Sequence, residues 1–172
     1  TDIRLLKGIE VDILEDGALD LPDDVLGRLD LVVGAVHSHF NLSKPKQTDR
    51  ILKAMDHPHF SILAHPSGRL IGRREPYDVD MSRIIRKARE RGCFLEVNAH
   101  RDRLDLTDIH CQIARDEGVL LAVSSDAHSM GDLDDRRYGI GQARRGWLQK
   151  SDVLNTRSYA ELKRLLRRTM ET

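Results

Sequence analysis

The chain has 172 residues, 40% hydrophobic and 33% charged, with 28 Lys+Arg against 28 Asp+Glu. That is one globular domain's worth of core, and a zero net charge excludes a basic nucleic-acid tail or an acidic solvating segment. No run approaches the roughly 18 apolar residues of a membrane span, and the opening TDIRLLKGIE lacks a signal peptide's apolar stretch.

In chain order, LLKGIEVDI (5–13) is the first of five segments that read as buried strands, rich in branched aliphatics and bounded by turn residues. PDDVLGRL follows, with Pro22 at a first-turn position and acids suited to a helix N-terminus. LDLVVGAVHS (29–38) is the second strand, TDRILKAMD (48–56) a helix, and FSILAHP (60–66) the third strand. LIGRREPYDVD (70–80), punctuated by Pro76, reads as a polar surface excursion near a site. VDMSRIIRKARERG (79–92) is a helix stopped by Gly92, and CFLEVNA (93–99) the fourth strand. TDIHCQIARDEG (107–118) is a helix capped by Thr107 and Gly118, leading into the fifth strand, VLLAVSSDAH (119–128). DLDDRRYGIGQARRGW (132–147) has no clear period, whereas SYAELKRLLRRTM (158–170) opens with the Ser158–Glu161 pattern of a capping box. Strand–helix alternation with apolar strands predicts a parallel α/β domain over 1–172.

Polar residues interrupt this pattern at a regular interval. Glu10, His37, His65, Asn98 and Asp126 sit inside or at the far end of the five strands, 27, 28, 33 and 28 residues apart in turn. In a barrel of parallel strands those ends converge on one face, where such folds place their chemistry. His128 shares the direction of Asp126 if the strand persists and diverges if it turns. Imidazole and carboxylate donors without thiolate suit Mn, Fe or Zn, and a shared carboxylate suits a metal pair that activates water for hydrolysis. Each residue has a structural alternative: His37 and His65 as satisfied core histidines, Asp126 as a cap, Asn98 as a turn residue, Glu10 as a paired edge acid. Their conjunction on five strands favours a site.

Of the remaining histidines, His57 and His59 read as solvated, His110 as surface or partly packed, and His39 and His100 as neighbours of the pocket. Cys93 and Cys111 are too few for a disulfide framework or CxxC site; they read as buried small residues in a reducing, cytoplasmic setting. Trp147 with Leu148 reads as a packing anchor.

GIEVDIL, VHSHF, AHPSGRLIGRREPYDVD, LEVNAHRDRLDL, SSDAHS and YGIGQARRGWLQKSDVLNT together resemble the polymerase-and-histidinol-phosphatase (PHP) domain, in particular the C-terminal PHP domain of bacterial family X DNA polymerases. The resemblance implies a partial, distorted (β/α)7 TIM-like barrel, with metals at the C-terminal strand ends and phosphoester hydrolysis as the activity. It casts Glu10 as a bridging catalytic carboxylate, His37 and His65 as ligands of one metal, Asp126 as a catalytic ligand of another, and His128 as a ligand of a third. Asn98, Arg69, Arg73 and Arg74 would face substrate. Mn2+ is the implied metal, with Zn2+ or Fe2+ as alternatives. DNA 3′ ends are the implied substrate, and an N-terminal polymerase region of the same protein the implied partner. The HxH and TDH motifs that open a PHP domain do not precede Glu10, so the chain is expected to be the C-terminal portion of the domain, prone to oligomerise or marginally stable through open strand edges. Two other functions fit the same residues: a stand-alone PHP phosphatase acting on a small phosphomonoester such as histidinol phosphate, and a non-catalytic polymerase module.

Overall fold

A computed structural model describes residues 3–170 of the chain. Five strands, β1 (Gly8–Asp12), β2 (Leu31–Ala35), β3 (Ile62–Leu63), β4 (Phe94–Asn98) and β5 (Leu121–Ser124), lie side by side in chain order. Every neighbouring pair is parallel. The helices are α1 (Asp23–Leu26), α2 (Lys44–Met55), α3 (Met81–Arg91), α4 (Asp108–Asp116), α5 (Arg136–Arg145) and α6 (Tyr159–Met170). The strands are shorter than the apolar segments that announce them: at β2, β3 and β5 the C-terminal part of the segment leaves the ladder, whereas β1 starts only at Gly8.

The register divides the sheet into two faces. Val11, Val32, Leu63, Leu95, Val97 and Leu121 fall on one face and are 0–3% exposed. They share a single core with Ile51 and Met55 of α2, Ile84, Ile85 and Ala88 of α3, and Cys111 and Ala114 of α4. In-order parallel strands joined by right-handed crossovers carry their connecting helices on one face, which explains this one-sided core. Gly34 of β2 is required there, since a Cβ would lie 2.2 Å from the Phe60 ring. The opposite face presents Leu31, Val33, Ile62, Phe94 and Ala122, packed with Leu154 and with Leu162, Leu165 and Leu166 of α6. Leu154 and Leu166, the buried leucines of this layer, each contribute roughly 1.5–3 kcal/mol.

The caps follow the sequence closely. Asp80 accepts from the Arg83 N–H and Thr107 from the His110 N–H, Gly92 is left-handed at φ +69°, and Ser158 and Glu161 exchange hydrogen bonds. Two readings differ. α2 begins at Lys44, with Pro45 in its first turn, four residues before the apolar period starts. Trp147 is not an anchor: Leu148 packs on the core, while Trp147 stands 72% exposed at φ +59°. The cysteines are buried as expected, which pushes both thiols up to about 12. No helix among the described residues is long and apolar enough to cross a membrane.

Candidate metal centre

The C-terminal strand ends carry the polar residues. Glu10 projects from β1, while His37 and His65 follow β2 and β3 by two residues each. Glu10 Oε1 lies 3.1 Å from Nε2 of His37 and 3.1 Å from Nε2 of His65, and the two rings are 5.2 Å apart at a tilt of 52°. One ligand atom from each of the three residues falls within 4.8 Å of the other two.

The electrostatics follow from these contacts. Hydrogen bonds from His37 and His65 hold the Glu10 carboxyl far below the ordinary carboxylate range, against the opposing effect of its partial burial. Glu10, and then Asp12, raise the pKa of His37. Asp12 Oδ1 sits 2.5 Å from His37 Nδ1, on the side of the ring away from Glu10. His65 is 1% exposed and its Nδ1 is buried without a hydrogen-bond partner. A carboxylate and two imidazoles whose Oε1 and Nε2 atoms converge, with no thiolate among them, fit a borderline divalent cation.

Buried charges hold the loops that present these ligands. Glu96, the middle residue of β4, accepts from the His65 N–H at 2.6 Å, from Asn98 Nδ2 at 3.3 Å and from the Ser124 hydroxyl. All three contacts are donors, which suits the carboxylate, while burial raises its pKa. Asp105 Oδ2 accepts from the Ser67 and Gly68 N–H groups at 2.9 Å each, pinning the loop after His65 from the other side. His65 itself takes φ +26°, a conformation disfavoured without a glycine and kept here by its surroundings. Arg50, 3% exposed, donates to the carbonyls of Ile13, Leu14 and Ser38 and so joins the loops after β1 and β2.

The β4–β5 end is arranged differently. Asp126 takes φ +52°, and its Oδ2 lies 3.1 Å from Asn98 Nδ2 and 3.5 Å from Arg103 Nε. It lines a largely aliphatic cavity of about 380 Å³ together with Glu10, Glu96 and Ser124, but stands outside the three-ligand cluster. Asn98 is fully buried and uses its amide on Asp126, Glu96 and the His100 N–H. The chain turns after Asp126, and the His128 side chain is 83% exposed with Nδ1 against the Asp126 carbonyl at 2.8 Å. Arg69 donates to the carbonyls of Arg103 and Leu104. Arg74 donates twice to the Gly68 carbonyl and lies 3.9 Å over the Phe40 ring. Arg73 is 73% exposed, 3.5 Å from Asp102. His57 is half-buried on Asp23 rather than solvated.

Sequence reasoning passed over Asp12, Arg50, Glu96 and Asp105. The signal for two of them was strand alternation: Asp12 shares the face of Glu10, and Glu96 the face of Asn98.

No family model matches the chain. It is 43% identical over 97% of its length to the DNA polymerase/3′-5′ exonuclease PolX of Bacillus subtilis, of which it spans 29%. A probable phosphatase of Thermoanaerobacter sp. strain X514 is 29% identical over 90% of the chain, and one of Caldanaerobacter subterraneus 31% identical over 76%. The chain spans 64% and 53% of those two proteins. Set beside the parallel sheet and its ligand cluster, these relatives bear out the likeness to the PHP class of domain. Within that class, the chain resembles the PHP domain of bacterial family X DNA polymerases.

Proposed function

We propose that the chain is the phosphoesterase domain of a family X DNA polymerase and hydrolyses phosphoesters at DNA 3′ ends. One observation carries the reading: a single carboxylate oxygen, Glu10 Oε1, lies 3.1 Å from Nε2 of two histidines at the C-terminal end of a parallel sheet. The polymerase and 3′-5′ exonuclease activities of the Bacillus relative support DNA as substrate and a polymerase region as partner. The in-order sheet supports a partial (β/α)7 barrel across 1–172. Carboxylate and imidazole donors support Mn2+, with Fe2+ or Zn2+ as alternatives, and the reduced cysteines support a cytoplasmic setting.

Divalent ions at such a site lower the pKa of coordinated water and neutralise charge on phosphoryl oxygens. The chain's own residues supply the rest. Glu10 stays ionised well below neutral pH, so it acts as a shared ligand rather than as a general acid. Asp126, aimed by the Asn98 amide, lines the same cavity as Glu10 and would be a second carboxylate able to hold another ion there. His128 completes a further ligand set if the turn after Asp126 swings it inward. Of the three arginines, Arg73 is the most exposed and could leave its ion pair with Asp102 to meet a substrate phosphate, while Arg69 and Arg74 shape the loops around Asn98 and His65.

A small phosphomonoester is the second reading, favoured by the two phosphatase relatives and by a cavity of about 380 Å³, the size of a small-molecule site. The test compares Mn2+-dependent hydrolysis of a DNA 3′ end with that of p-nitrophenyl phosphate, using Glu10→Ala as control. Hydrolysis of the 3′ end, lost in the variant, is expected. Turnover of the monoester alone selects the phosphatase, and bound metal without any turnover selects a non-catalytic module.

A further inference from the structure

The two imidazoles of the cluster are held by different means. His65 is 1% exposed, its backbone N–H is fixed on Glu96, and packing leaves its ring no freedom. His37 lies two residues beyond β2 with its side chain 41% exposed. Rotation of that ring about χ2 would carry both nitrogens to ring-carbon positions and turn Nε2 away from Glu10. What stands behind it is Asp12, with Oδ1 2.5 Å from Nδ1 while Nε2 points at Glu10. Strand alternation puts Asp12 on the Glu10 face, and the register pairs it with Ala35, two residues before His37.

We propose that Asp12 is a positioning residue of the metal centre, whose carboxylate accepts the Nδ1–H of His37 and so keeps the lone pair on Nε2, aimed at the ion shared with Glu10 and His65. This inference rests on the metal-centre reading above. A neutral imidazole has one donor and one acceptor nitrogen, so a ring that binds metal through Nε2 carries its proton on Nδ1. At a half-exposed position water competes for that proton; a carboxylate holds it in one direction and makes the other nitrogen more basic. Asp12 is not itself one of the three convergent ligands, since its near oxygen lies behind the ring rather than beside Nε2.

The experiment uses the 172-residue chain, titrated with Mn2+ by calorimetry, and with Zn2+ for 15N spectra of the histidine rings. In the zinc-loaded chain, His37 is expected to show Nδ1 protonated and Nε2 bound to metal. Asp12→Ala is expected to weaken Mn2+ binding about 10–100-fold at unchanged stoichiometry. Its melting temperature should move far less than its metal affinity, because the Asp12 side chain is 45% exposed, and Asp12→Glu should recover part of the affinity. Binding within twofold of wild type overturns the inference. So does the loss of one whole ion with the remaining affinity intact, which makes Asp12 a ligand. A wild-type chain that binds neither metal overturns the metal-centre reading as well, and shows this before any variant is made.

Discussion

The two ends of the strand rim solve the same problem in opposite ways. At β1–β3, Glu10, His37 and His65 point their donors at one another, and the supporting contacts come from behind, through Asp12, Arg50 and Glu96. At β4–β5, Asp126 is already occupied by Asn98 and Arg103, and His128 faces solvent. Convergent donors repel or trap protons unless a cation joins them, whereas Asp126 is satisfied by its neighbours as it stands. On the proposed reading the first end would hold the first ion, and the second would need rearrangement to hold another.

The largest effect expected from breaking the contrast is at Glu10, which both histidines share. Glu10→Ala should weaken Mn2+ binding more than the roughly 100-fold upper end expected for partners outside the ligand shell, and abolish any Mn2+-dependent hydrolysis. Calorimetry checks the first and product analysis the second; retained hydrolysis would remove Glu10 from the mechanism.

Next comes Glu96, which spans both ends by holding His65, Asn98 and Ser124. Removing it leaves buried donors without an acceptor, at about 1–3 kcal/mol each where no relaxation helps. Glu96→Ala should cost about 2–4 kcal/mol and lower the melting temperature by roughly 5–15 °C. A variant that melts with the wild type would show that the β3 and β5 loops hold themselves.

These residues also mark how much was legible in the sequence. Glu10, His37 and His65 stand out because each is a polar residue in or just past an apolar strand. Glu96 has the same signature within CFLEVNA but is masked by Asn98 two residues later, which looks more like a site residue. Helix α5 is hidden because it packs through glycine rather than an apolar stripe: a Cβ on Gly139 would lie 2.6 Å from that of Ala99. Arg50 reads as one more helix-surface cation, and only the backbone around it reveals that its guanidinium is buried on three carbonyls. Contacts of this kind, between side chain and distant backbone, leave no period or motif to find.

A pH series sharpens the contrast further. His37 has a raised pKa, so its contribution to the metal-free fold is complete below the ordinary imidazole value of 6.5 and is lost as pH rises through the raised value. Glu10 has a depressed pKa, so its contribution is present above 4.5 and is lost as pH falls through the depressed value. The cluster therefore stabilises the metal-free chain most between 4.5 and 6.5. The melting-temperature gap between wild type and His37→Ala should shrink as pH rises above that window, while Mn2+ affinity should climb because the ion displaces the proton. A gap independent of pH would mean that His37 is neutral in the metal-free chain.

The smallest effect is expected at the other end of the rim. His128 contributes one backbone N–H to Asp132 and a ring contact to the Asp126 carbonyl, with most of the side chain in water. Nothing in the first ion's cluster touches it, so His128→Ala should change stability by no more than about 0.5 kcal/mol and leave affinity for the first ion within about twofold. Its effect should appear only at higher Mn2+, as the loss of a weaker binding step that the wild type retains. If instead the first step weakens tenfold, the turn after Asp126 swings inward on binding, and the two ends of the rim form one site from the first ion onward.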